Sequence, residues 1–200
     1  MNITIEMIKQ LRDDTGAGVM ACRKALEESA LNLNQARDLL RQAAELQLKK
    51  RADHEALQGR IELYSHMDGR IGVMVEINTE TEFASRSEIF RRFAREIALQ
   101  ITSECPLFVN EENIPHSVLD ELACAAAEKA RAAGKPERII ERIVAGVLEK
   151  YKDRHVLLRQ AYLRDETISV AQLLNQTASQ IGEKIVVRRF QRWEINPDLT

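Results

Sequence analysis

Arg60-Ile61-Glu62-Leu63-Tyr64-Ser65-His66-Met67-Asp68-Gly69-Arg70-Ile71-Gly72-Val73-Met74-Val75-Glu76-Ile77-Asn78 breaks the helical pattern of the chain. Two runs of alternating character are joined by Asp68-Gly69. Asp-Gly between such runs signals a hairpin, because a type I′ turn needs positive φ at both central residues. The alternation assigns Ile61, Leu63, Ile71, Val73, Val75 and Ile77 to one buried face. Lys184–Trp193, rich in Ile, Val, Phe and Trp, reads as a third strand. Val156–Leu163 reads as a shorter extended piece.

Helices surround this sheet. Ile5, Ile8 and Leu11 recur at helical spacing and predict one inner face. Asp13-Asp14-Thr15-Gly16-Ala17-Gly18 interrupts them, and Ala21, Cys22, Ala25 and Leu26 predict the inner face of a second short helix. Asn32-Leu33-Asn34-Gln35 has the form of a capping box before a third helix carrying Ala36, Leu39, Leu40 and Ala43. A stretch from Glu45 to Gln58, with Lys49-Lys50-Arg51, then links two regions. Ser85-Arg86-Ser87-Glu88 reads as a second capping box opening a helix with Ile89, Phe90, Phe93, Ile97 and Ile101 inside. That leaves Phe83 at a loop tip. Pro115 opens the next helix, Gly134 stops it, and Pro136 opens another through Ile139, Ile140, Ile143 and Val147. Ser169-Val170-Ala171-Gln172 caps a last helix with Leu173, Leu174, Ala178 and Ile181. The expected class is α+β: a three-helix head with its linker over residues 1–55, then an antiparallel sheet covered by helices over 56–200.

Composition narrows the function. The 200 residues carry 29 basic and 31 acidic side chains, a net charge of −2, whereas a phosphate-backbone binder usually has a surplus of Lys and Arg. No apolar run approaches the ~20 residues that cross a bilayer, and the N-terminus lacks a signal-peptide layout, so a cytoplasmic protein is expected. Cys22, Cys105 and Cys124 are an odd number without CxxC spacing and predict small buried or half-buried thiols. His54, His66, His116 and His155 form no HExxH pattern, and GxGxxG, GxxxxGK[ST] and GxSxG do not occur. No nucleophile–base pair, metal cluster or cofactor loop is expected, and nothing points to an enzyme.

Four ordered motifs carry a resemblance. Ile8-Lys9-Gln10-Leu11-Arg12, Thr15-Gly16-Ala17-Gly18-Val19-Met20 and Cys22-Arg23-Lys24-Ala25-Leu26 resemble the N-terminal signature of bacterial elongation factor Ts. Val75-Glu76-Ile77-Asn78-Thr79-Glu80-Thr81-Glu82-Phe83 resembles its second signature, which usually ends Thr-Asp-Phe. Gly134-Lys135-Pro136 and Gly182-Glu183-Lys184-Ile185-Val186-Val187-Arg188-Arg189-Phe190 are similar to two more. The resemblance spans nearly the whole chain. It implies a head similar to a ubiquitin-associated domain, a dimerisation-type core, and a partner, elongation factor Tu, that is bound in its GDP-bound and nucleotide-free forms and whose GDP release is promoted. Because the chain is short for the family, it also implies a single core acting as a homodimer, with no membrane and no direct nucleic-acid partner.

The same resemblance gives roles to residues. Arg12, Val19 and Met20 are implied to lie against the GTPase, although spacing alone makes Val19 and Met20 core residues. Thr81, Glu82 and Phe83 are implied at the partner's nucleotide site, with Phe83 as a wedge. On spacing alone Phe83 is a staple packing on the helix that follows. Glu82 stands where the family usually has Asp, so its carboxylate reaches one methylene further. Ala21 and Val147 replace residues that are commonly acidic and basic. A rival reading makes the chain a nucleic-acid-binding accessory protein, with Lys49-Lys50-Arg51 as a basic contact and Lys184, Arg188, Arg189 and Arg192, interleaved with Phe190 and Trp193, as a stacking platform.

Overall fold

The computed structural model describes residues 3–51 and 53–195, so residues 1, 2, 52 and 196–200 of the expected 1–55 and 56–200 division lie outside the description. In chain order the elements are α1 (Ile5–Thr15), α2 (Val19–Glu28), α3 (Leu33–Lys50), β1 (Gln58–His66), β2 (Ile71–Thr79), α4 (Glu82–Arg86), α5 (Glu88–Glu104), α6 (His116–Ala132), α7 (Glu137–His155), β3 (Ala161–Tyr162), β4 (Asp165–Ser169), α8 (Val170–Ile181) and β5 (Ile185–Glu194). One sheet has the order β1-β2-β5, and β3 pairs antiparallel with β4. The class is α+β.

Contacts divide the chain into two compact units, Met1–Ile61 with Glu76–Ala94 and Leu174–Val187, and Glu62–Val75 with Arg95–Leu173 and Arg188–Thr200. In the first unit, α1 to α3 close on Leu11, Cys22, Ala25, Leu26 and Ala36. Thr4 caps α1 by accepting from the Met7 N–H at 3.3 Å, and Asn32 caps α3 by accepting from Asn34 and Gln35 at 3.0 and 3.2 Å. Three expected inner residues point outward: Ile5 is 81% exposed, and Ala21 and Ala43 are exposed too. The inner stripe of α1 starts instead at the half-buried Met7 and Ile8. Around the sheet end, Ile77, Thr79, Ala84, Phe90, Phe93 and Ala178 are buried. Ile89 is 44% exposed, contrary to its expected place inside α5.

In the second unit the hairpin turns as expected. Arg70 N–H donates to the Met67 carbonyl at 3.1 Å, and φ is +51° at Asp68 and +90° at Gly69. The buried face differs from expectation. Ile71, Val73 and Val75 are buried, but Leu63 is 70% exposed, and so is Ile61 (56%) in the first unit. A two-residue turn pairs Met67 with Arg70 and His66 with Ile71, so odd positions of β1 oppose even positions of β2. Leu63 therefore shares its face with Met74, while Glu62 and Tyr64 turn inward.

The interior of this unit includes a closed polar network. The Gln100 amide, fully buried, donates to Gln160 Oε1 at 3.3 Å and the Ala161 carbonyl at 3.0 Å and accepts from the Leu163 N–H at 2.8 Å. The Gln160 amide donates in turn to the carbonyls of Glu104 and Arg154. Buried amides are tolerated when satisfied in this way. β4 carries no strong alternation and was not expected from the pattern; the extended piece at 156–163 contributes only Ala161–Tyr162 to a strand. Pro115 and Pro136 sit at the N-caps of α6 and α7, and Ser169 caps α8 in a box with Gln172.

Candidate functional site

The segment after β2 is tied down residue by residue. Thr81 is the N-cap of α4: its hydroxyl accepts from the Ala84 N–H at 3.2 Å. The Thr81 hydroxyl and N–H donate to the two carboxylate oxygens of Glu183 at 2.7 and 2.9 Å, and the Thr79 hydroxyl adds a third bond at 3.0 Å. Between them Glu80, only 12% exposed, accepts from Arg51 Nη1 at 3.0 Å, His54 Nδ1 at 2.7 Å and the Lys184 N–H at 2.7 Å. Burial pushes the Glu80 carboxyl up, but the bonds from Lys184, His54 and Arg51 outweigh it and hold the pKa at about 2. Since that carboxylate only accepts, His54 Nδ1 carries the proton of the pair.

From this anchored base Phe83 projects into solvent, 87% exposed. It stands in the first turn of α4, not at a bare loop tip, because Thr81 starts a helix before α5 begins. The cap of α5 is Ser87, whose hydroxyl accepts from the Phe90 N–H at 3.2 Å, while Ser85 lies within α4 and donates to the Glu82 carbonyl. The staple reading would need Phe83 packed on the following helix, which an 87% exposed ring is not. Glu82 pairs with Arg86 at 2.5 Å and is 65% exposed.

Arg12, Val19 and Met20 lie in the same compact unit, on the head. Val19 and Met20 open α2 and are 48% and 73% exposed, so neither is a core residue. Arg12, in the last turn of α1, is exposed as well. Ile5 joins them as a further exposed apolar side chain of the head that the expected helix face had hidden. Thr81, Glu82 and Phe83 form one continuous surface feature; Arg12, Val19 and Met20 form a second, at the α1–α2 corner. Sequence reading missed Glu80 and Glu183, although both stand inside quoted motifs, since nothing in their spacing said which donors they would meet.

The stacking-platform residues are divided between faces. Arg192 is 17% exposed, donates to the Thr102 carbonyl and pairs with Glu194 at 2.7 Å, whereas its neighbour Trp193 is 60% exposed. Adjacent strand residues point to opposite faces, so these two do not make one platform. Lys184 Nζ donates to the His54 carbonyl, and Arg51 is engaged with Glu80; the side chain of Lys49 lies outside the described residues. Cys22 is buried, with burial raising its pKa, but Cys105 and Cys124 are exposed, contrary to expectation. Among the described residues no cluster of three or more His, Cys, Asp or Glu is placed to hold a metal ion, and no helix is long and apolar enough to cross a membrane.

The fold is an α+β core with a three-helix head, and the comparisons with known proteins give its class as translation elongation factors. A family model described as Elongation factor TS matches residues 24–196. The chain is 44% identical over 195 residues to Elongation factor Ts of Rubrobacter xylanophilus, covering 98% of this chain and 100% of that protein. It is 38% identical over 198 residues to Elongation factor Ts of Syntrophobacter fumaroxidans, covering 99% of each. A third relative, Elongation factor Ts of Coprothermobacter proteolyticus, is 40% identical over 195 residues, covering 98% of this chain and 99% of that one. The chain belongs to the elongation factor Ts family, whose members are translation elongation factors.

Proposed function

We propose that the chain is a guanine-nucleotide exchange factor for elongation factor Tu, acting in the cytoplasm by promoting GDP release so that GTP can rebind. The observation that carries this reading is the exposed Phe83 ring on a base held by hydrogen bonds. No covalent chemistry is required. An exchange factor shifts nucleotide affinity by binding the nucleotide-free GTPase more tightly than its GDP form, and GDP weakens the factor in return.

Magnitudes assign the labour. Lowering GDP affinity 10⁴-fold takes roughly 5.5 kcal/mol of differential binding. Burying one Phe side chain gives about 1.5–3 kcal/mol. Phe83 thus accounts for roughly a quarter to a half of that difference, while Met20 and Val19 as apolar anchors, with Arg12 as a charged contact beside them, supply the affinity that holds the two proteins together. Glu82 sits beside the wedge, where a carboxylate would oppose the nucleotide's phosphates or disturb its Mg²⁺. Thr81 presents both.

A homodimer is the companion reading. The outer face of the sheet leaves Leu63, Met74 and Trp193 37–70% exposed, and apolar surface gathered in this way favours an interface. A second copy of the same face is its natural partner, since twofold pairing is self-complementary. Release of a fluorescent GDP analogue from elongation factor Tu, followed with and without the chain, tests the exchange reading. Acceleration supports it; an unchanged rate at micromolar chain refutes it.

A further inference from the structure

We propose that Glu183 is a positioning residue for nucleotide exchange, which locks the Thr79–Thr81 segment so that Phe83 is presented in one orientation. The inference rests on the exchange reading and adds a residue to it.

Glu183 takes three donors: the hydroxyl of Thr79, and the N–H and hydroxyl of Thr81, at 2.7–3.0 Å. A carboxylate offers about four acceptor positions, so one side chain can hold all three. The direction of these bonds matters. A threonine hydroxyl has a single proton, and at Thr81 it is spent on Glu183. The oxygen's lone pairs then face the Ala84 N–H, in the first turn of α4 one residue beyond Phe83. The carboxylate thereby fixes the cap, and the cap fixes the turn that carries the ring. A reciprocal tie closes the corner: the N–H of Lys184, next to Glu183, donates to Glu80. A Cβ on Gly16 of the head would meet Gln180, three residues before Glu183, so this same short stretch touches the head corner as well. Orientation of a reacting group by its supporting contacts is worth large rate factors even when those contacts are remote from the chemistry.

Glu183→Gln separates positioning from contact. The amide replaces one acceptor oxygen by an NH₂ group, which cannot receive Thr81 and competes to donate to its hydroxyl oxygen. The full-length chain is titrated into elongation factor Tu loaded with a fluorescent GDP analogue, as wild type, Glu183→Gln, Phe83→Ala and the double variant. In Glu183→Gln the maximal release rate is expected to fall about tenfold, with the half-saturating concentration within about twofold of wild type. The double variant is expected to be no slower than Phe83→Ala alone, because Glu183 acts through that ring. Thr81→Val, which removes the same bond from the other side, gives a similar drop, and Thr81→Ser restores the rate. A wild-type maximal rate in both Glu183→Gln and Thr81→Val overturns the proposal. An equal tenfold loss in the Phe83→Ala background also overturns it, since that is the signature of general damage to the fold. If the wild-type chain itself releases no nucleotide, the exchange reading has failed; if it does and the variants match it, only the role of Glu183 has.

Discussion

A methyl group on Gly16 would sit 2.4 Å from Cγ of Gln180. The turn between α1 and α2 is thus seated against α8, at a residue whose φ of +69° also suits glycine. Gly16→Ala is expected to cost about 1–2 kcal/mol, roughly 1 of it from the left-handed backbone. Adding Gln180→Ala removes the crowded Cγ and should recover only the remainder. Denaturant midpoints of the two variants decide this; full recovery would mean that the backbone conformation costs nothing.

Met20 and Phe83 should fail in different ways. Both are exposed, so alanine at either leaves the unfolding free energy within about 0.5 kcal/mol. Met20→Ala removes affinity: about 2 kcal/mol of lost burial raises the half-saturating concentration some tenfold to thirtyfold, with the maximal rate retained. Phe83→Ala lowers the maximal rate itself, at least about tenfold. Titrations of nucleotide release separate the two effects.

The Glu80 carboxyl, held at about 2 against an ordinary 4.5, gives stability a defined acid limb. Between those values the unfolded chain binds the proton that the folded chain refuses. The contribution is therefore complete above pH 4.5 and is lost as pH falls from there towards 2. Glu80→Gln should unfold at a lower temperature at neutral pH and show a shallower decline across this window. Melting temperatures at a series of pH values check the slope.

Leu63→Glu places a charge on the open sheet face at a side chain that is 70% exposed. Folding should be retained and self-association lost, read as a halved mass by light scattering. Trp193→Ala should weaken the dimer in the same direction. A mass unchanged by Leu63→Glu would remove this face from the interface.

The outcome at Leu63 also marks how far the sequence could be read. Period-two patterning and Asp68-Gly69 located the hairpin, and proline and glycine punctuation located α6 and α7. Alternation alone gives the wrong face of β1, and the turn gives the right one: a two-residue loop sets odd residues against even ones, which puts Leu63 with Met74 and away from Val73. Ser85 reads as a cap because Ser-x-x-Glu is a local pattern, while contacts that hold the segment before α4 come from Glu183, a hundred residues away. Tertiary hydrogen bonds of that range leave no periodic trace. Phe83 is legible as a candidate from its motif, but the Glu183 bonds to the segment before it are not.

An exchange factor is defined by the rate at which its GTPase loses bound GDP, so that rate in elongation factor Tu is the measurement that decides. With a fluorescent GDP analogue on elongation factor Tu and excess unlabelled nucleotide, micromolar wild-type chain is expected to speed release more than about tenfold, and Phe83→Ala to abolish most of that gain. A release rate that is the same with and without the chain would mean that it is no exchange factor for elongation factor Tu.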